Sequence, residues 1–424
     1  MFTTSRDSEE IRPEPLESPA ATGTQDHSWV PAIALFAAIS TLVVATARFG
    51  FHISPLDFLT YRYAGQQAFA GDNIYAGNVS GPGLIGQPFT YTPLAALLFR
   101  GFGVLDWQSS SFIWSVGSLT GLGLVVHSLF PSVARGRAPW AAVAFFLTCC
   151  TTVVFDNAAN GQVNIFLMLL CLFDLHVLPT YGGRRARHLS GVGLGLAAAI
   201  KLTPALFIVH LAVTRQWKTL GTSVATAVVA SGAAFAISPH LSREFFGTAV
   251  WNLSDRVRLD HSLGYWGNAS LSGAFHAYGN GAALLAPVAV IAFTVGALAC
   301  ARVAHSRGHT LNALLMIGLA APVASPFAWV HHYVYLVPAV LVLARSAPGP
   351  NRRTLGRVGL VWLLLVLGPG SGHWLMNHGG EWLLPLALVL REGPVIASCV
   401  GIALLLRSHD QPSMTPRRTP SRAA

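Results

Sequence analysis

Charge is what this chain has least of. Only 10% of its 424 residues are charged and 53% are hydrophobic, with a mean hydropathy of +0.52. An ordinary soluble domain is about a quarter charged, so a water-soluble enzyme is excluded and an all-α polytopic membrane protein is expected. Acids are scarcer still, 17 Asp and Glu against 27 Lys and Arg for a net charge of +10. The five cysteines (Cys149, Cys150, Cys171, Cys300, Cys399) fall inside apolar runs without ligand spacing, which argues against a disulfide framework or a zinc site. No DxD motif and no glycine-rich phosphate loop ahead of a helix is present. A nucleotide sugar or a metal-bound diphosphate therefore has no evident seat, and no soluble catalytic domain is long enough to supply one.

The basic excess is no nucleic-acid patch. It sits in short loops, "GGRRAR" (182–187), "TRQWK" (214–218) and "NRRTLGR" (351–357), as the positive-inside rule requires of cytoplasmic loops. Residues 1–28 are polar, acidic and lack the basic start of a signal peptide; with 408–424 they are expected to be disordered cytoplasmic tails. Between them, 29–407 would form one transmembrane domain of about twelve membrane helices, from 29–51 to 393–407. A break in 189–213 at "KLTP" (201–204), where Pro204 removes a backbone donor, and a non-spanning hairpin at 91–107 reconcile the loop charges. The acids, amides and aromatics then gather on the outer side, where the active site is expected.

Several stretches carry chemistry. "ISPLDFLTYRYA" (53–64) follows the first span, and Asp57, Tyr61 and Arg62 share a helical neighbourhood at i, i+4 and i+5. A carboxyl against an apolar wall can have a raised pKa and act as a general base. "PFTYTPLAALLF" (88–99) brings Tyr91 to a membrane boundary. "VVFDNAANGQVNIFLMLL" (153–170) sets Asp156, Asn160, Gln162 and Asn164 at the mouth of a span, where amides need partners such as sugar hydroxyls. Lys201 has apolar neighbours all round and must snorkel, pair with an acid or meet a phosphate. "GYWGNASLSGAF" (264–275) offers Trp266 and Asn268 for stacking on and hydrogen-bonding a sugar. In "SPFAWVHHYVYLVP" (325–338), His331 and His332 beside Trp329 suit a metal, a proton relay or a polar substrate head. No HxH or DxD accompanies them to complete a metal site.

These segments resemble the glycosyltransferase family 87 membrane mannosyltransferases. "LDFLTYRYAG", "PFTYTPLAALLF", "VFDNAANGQVNIFLMLL", "IKLTPA", "GNASLSGA" and "SPFAWVHHYVYLVP" stand in the family's order from residue 55 to 338. Two departures are "DNAANGQ", longer than the family's Asp-Tyr-Gly-Gln, and "YTP" and "NAS" for its Tyr-Pro-Pro and Asn-Gln-Ser. The resemblance implies a GT-C fold in the plasma membrane with an extracytoplasmic active site and no cofactor. It implies transfer of mannose from polyprenyl-phosphate mannose to a phosphatidylinositol mannoside in an α-1,2 linkage. Asp57 would be the general base. Lys201, His331, His332, Asn164 and Gln162 would hold the donor, and Tyr61, Arg62, Tyr91, Trp266, Asn268 and Trp329 the acceptor. Arabinofuranosyl transfer from a decaprenyl phosphate, and a carrier or flippase for a lipid-linked sugar, remain as alternatives.

Overall fold

The computed structural model describes residues 29–129, 137–257, 263–345 and 352–408. Both expected tails therefore lie outside the described residues, apart from Ser408. Nearly everything described is helix. Helix α1 (Trp29–Ala45) ends in a π-helical turn at Thr46–Gly50, and α2 (Leu56–Ala70) follows. A small antiparallel hairpin, β1 (Asn78–Gly81) with β2 (Leu84–Pro88), pairs Val79 with Gln87. The glycine-spaced run "GPGLIG" (81–86) forms its turn, with Gly83 at φ 79°. Next come α3 (Pro93–Phe99), α4 (Trp107–Leu129), α5 (Arg137–Cys149), α6 (Thr152–Asn160) and α7 (Asn164–Leu172). The second half holds α8 (Val192–Ile200), α9 (Ala205–Val213), α10 (Trp217–Ile237), α11 (Pro239–Gly247) and α12 (Ala286–Ser306). It closes with α13 (Thr310–Ala324), α14 (Leu336–Arg345), α15 (Arg352–His378), α16 (Leu384–Arg391) and α17 (Gly393–Arg407).

The expected twelve crossings become six long apolar helices among the described residues, or eight if two bent pairs each count once. Those pairs are Trp140–Cys149 with Thr152–Asn160, bent by 71°, and Glu381–Arg391 with Gly393–Arg407, bent by 57°. The physical reason is length: at 1.5 Å per residue, a helix such as α13 or α14 is too short to cross about 30 Å of hydrocarbon. The run 91–105 yields only α3 and a 3-10 turn at Arg100–Gly103, packed on α2. The run 189–213 is interrupted where anticipated, with Lys201 extended at φ −143° and ψ 139° between α8 and α9. Such breaks are tolerated at membrane depth only where protein or a cavity satisfies the freed backbone. Thr92 does this: its hydroxyl bonds the carbonyl of Ala199 at 2.5 Å and that of Ile200 at 3.3 Å.

Close packing then fixes the scaffold. Phe36 of α1 lies over Gly123 of α4, where any β-carbon would stand 2.6 Å from the ring. Arg48, at the end of the first span, bonds the carbonyls of Ile53 and Ala159 at 3.0 and 2.5 Å, so the start of α2 and the end of α6 are held together. Gly161 caps α6 at φ 69°, against Phe58. A left-handed backbone and that contact both require glycine there.

Candidate active site

Five of these interruptions converge on one cavity of about 800 Å³. They are the first turn of α2, the residues before α3, the α6–α7 junction, the α8–α9 break and the 3-10 turn Val330–His332 after α13. Each brings at least one polar side chain to the cavity. Asp57, Tyr61, Tyr91, Gln162, Lys201, Trp329, His331 and His332 all line the space.

The polar groups form one directional network. Asn164 Nδ2 donates to Gln162 Oε1 at 3.2 Å and to the His331 carbonyl at 3.1 Å. That turns its Oδ1 toward Lys201 Nζ, 2.7 Å away. The hydroxyls of Tyr61 and Tyr91 lie 2.9 and 3.2 Å from Gln162 Oε1, and the Gln162 side chain also hydrogen-bonds Asp57. The two tyrosine hydroxyls lie 2.7 Å apart. The amides expected to meet sugar hydroxyls are thus engaged with protein, linking the carboxylate to the cation. Buried polar groups must be satisfied in this way.

Asp57 stands in the first turn of α2, half-buried. Burial raises its carboxyl above the usual range; His331, a hydrogen bond with Gln162 and Lys201 pull it back, while Asp156 adds to the rise. Lys201, one of only two lysines in the chain, reaches Tyr91 Oη at 3.2 Å and His332 Nε2 at 3.2 Å. His332 Nδ1 accepts from the Trp329 amide at 3.2 Å, so its ring proton sits on Nε2. Two donors, Lys201 Nζ and His332 Nε2–H, therefore face each other. An anion that accepts from both completes such an arrangement.

Three expected contacts lie elsewhere. Arg62 is five residues beyond Asp57, which on a helix is about 140° around the axis. It points away and bonds the Phe102 carbonyl and Ser110 Oγ. Trp266 stacks on His373, with ring centroids 5.0 Å apart and planes 12° from parallel. Asn268 is buried and bonds the Leu263 carbonyl at 2.9 Å and the Ala328 amide at 3.1 Å, so it anchors the segment that carries the histidines. Neither lines the cavity.

Some lining residues are not singled out by the sequence. Thr92, Trp251 and Arg256 enter the cavity wall, the last two through the fold of the 239–257 segment. Asp156, on the lengthened "DNAANGQ" stretch, reaches His331 Nδ1 at 2.6 Å. Among the described residues no three His, Cys, Asp or Glu side chains converge as metal ligands.

The model of glycosyltransferase family 87 matches residues 89–326. A polyprenol-phosphate-mannose-dependent alpha-(1-2)-phosphatidylinositol mannoside mannosyltransferase of Mycolicibacterium smegmatis is 32% identical, over 77% of this chain and 81% of that one. A protein of the same description from Mycobacterium tuberculosis is 30% identical, over 73% and 74%. A pentamannoside mannosyltransferase of M. smegmatis is 29% identical, over 71% and 69%. Among solved structures, ArnT from Cupriavidus metallidurans bound to undecaprenyl phosphate is a distant likeness. It is 18% identical with a TM-score of 0.37, covering 90% of this chain and 77% of that one.

Proposed function

The chain belongs to glycosyltransferase family 87, and on that footing we propose that it moves mannose from polyprenyl-phosphate mannose to a mannosylated phosphatidylinositol, forming an α-1,2 bond at the extracytoplasmic face of the plasma membrane. Family membership makes it a membrane glycosyltransferase. The sugar, donor and acceptor follow the descriptions of its relatives, which favour mannose over arabinofuranose and enzymatic transfer over carriage of a lipid-linked sugar.

One observation carries the assignment to this cavity: a carboxyl raised by burial shares it with Lys201 Nζ and His332 Nε2, which lie 3.2 Å apart. Asp57 takes the proton of the acceptor hydroxyl as that oxygen attacks the anomeric carbon. The bond from that carbon to the phosphate oxygen breaks, and its electron pair leaves with the polyprenyl phosphate. Lys201 Nζ and His332 Nε2–H stabilise the charge that develops there. A lipid phosphate is already a good leaving group, so this path calls on neither nucleotide nor metal. The acidic outer loops and basic inner loops support the extracytoplasmic placement.

The direct test gives the purified enzyme polyprenyl-phosphate mannose and a phosphatidylinositol mannoside in the presence of a chelator. One α-1,2-linked mannose should be added, and none from GDP-mannose. Transfer from GDP-mannose would overturn the reading, and use of an arabinofuranosyl lipid phosphate alone would overturn its choice of sugar.

A further inference from the structure

His332 has a role for each ring nitrogen, Nδ1 accepting from the Trp329 amide and Nε2–H standing beside Lys201 Nζ at the cavity, but His331 does not. His331 is buried, and its Nδ1 lies 2.6 Å from Asp156 Oδ2. Its backbone carbonyl is held by Asn157 Nδ2 at 3.3 Å and Asn164 Nδ2 at 3.1 Å. The ring is flanked by Trp329 and His332. Its Nε2 is buried with no partner, although the residue lines the cavity. A buried nitrogen left open on a ring fixed from every other side needs a ligand atom to complete it.

We propose that Asp156 and His331 are a positioning pair, in which His331 Nε2 takes a hydrogen bond from a hydroxyl of the sugar bound beside Asp57. The carboxylate of Asp156 accepts from Nδ1–H. In the singly protonated ring this makes Nε2 an acceptor. A sugar hydroxyl supplies the missing donor. Phosphate oxygens only accept, so they belong with Lys201 and His332, and the two adjacent histidines divide the substrate between them. Asp156 itself is half-exposed at the cavity wall and acts through the ring. Asp57 and His331 line the same cavity, so the hydroxyl held by Nε2 is on or next to the reacting sugar. The inference rests on reading the cavity as a sugar-transfer site and adds to it the group that orients the sugar.

The test uses the full-length enzyme in nanodiscs and a panel of donors and acceptors, each lacking one hydroxyl. It is built on whichever lipid-phosphate sugar the enzyme uses, so a failed mannose assignment does not decide this question. For one analogue the wild type should lose roughly tenfold in kcat/KM, the size of one hydrogen bond. His331→Phe and Asp156→Asn should show a comparable loss with intact substrate and little further loss with that analogue, the coupling expected of contacting groups. Asp156→Glu should restore the dependence on that hydroxyl. Equal penalties across the whole panel in variants and wild type would reduce the pair to a structural role, and wild-type behaviour of Asp156→Asn would overturn it. In case a variant fails to fold, ¹⁵N spectra of the wild-type histidines provide a second readout. One Nε2 resonance should shift with intact substrate and stay put with the analogue; a resonance indifferent to both overturns the pair.

Discussion

Replacing Lys201 by Met keeps an unbranched side chain one atom shorter and removes its charge. In the structure Lys201 Nζ bonds Asn164 Oδ1 at 2.7 Å and Tyr91 Oη at 3.2 Å, and shares its open side with His332 Nε2. A hydrogen bond to a charged group contributes about 1.5–3 kcal/mol. At 1.36 kcal/mol per factor of ten, losing the one to the donor phosphate should lower kcat/KM for the donor about 10- to 160-fold. A second effect falls on the fold. Asn164 Oδ1 would be left buried without a donor, at about 1–3 kcal/mol, so the variant should also unfold a few degrees earlier. The assay is transfer from radiolabelled polyprenyl-phosphate mannose in nanodiscs, with donor and acceptor each varied at saturating partner, alongside a melting curve. A change confined to acceptor KM would refute the placement of Lys201 at the donor phosphate, as would an unchanged donor KM in a folded variant.

Asp57→Asn should lower turnover by about 10²–10⁴ or more, the usual loss with a general base, and near-normal transfer would remove Asp57 from that role. Because burial raises its carboxyl in the folded protein, Asp57 contributes stability below the ordinary carboxylate range that is lost as pH rises through the raised value. Asp57→Asn should therefore hold or raise the melting temperature at neutral pH, and a marked fall contradicts the burial argument. For the same reason the acid limb of kcat/KM should lie above the ordinary carboxylate pKa, with activity lost as pH falls through it; a pH–rate profile flat down to that ordinary value counts against it. Asn268→Ala should cost stability, by about 1–3 kcal/mol for the buried groups it leaves unpaired, while leaving the ratio of donor to acceptor KM unchanged. A selective rise in acceptor KM would return Asn268 to the acceptor site.

Composition and short-range pattern determined the class of this protein. Apolar runs report the solvent a segment faces, and basic loops report the side it faces, because both are sums over neighbouring residues. The break at Lys201 was legible for the same reason, since Pro204 acts on its own helix. The individual segments around Asp57, Gln162, Lys201 and the histidine pair were legible as polar groups with no local partner. Their meeting in one cavity was not, because it depends on where five helix interruptions come to rest. Only the packed structure decided that Gln162 and Asn164 bond the tyrosine hydroxyls and Lys201, that Asp156 turns to His331, and that Arg62, one residue past Tyr61, faces away. It also decided that several apolar runs end short of a full crossing. Hydrogen-bond direction and helix length are settled by contacts such as that of Asp156 with His331, 175 positions apart in the chain, and a local pattern cannot count partners at that distance.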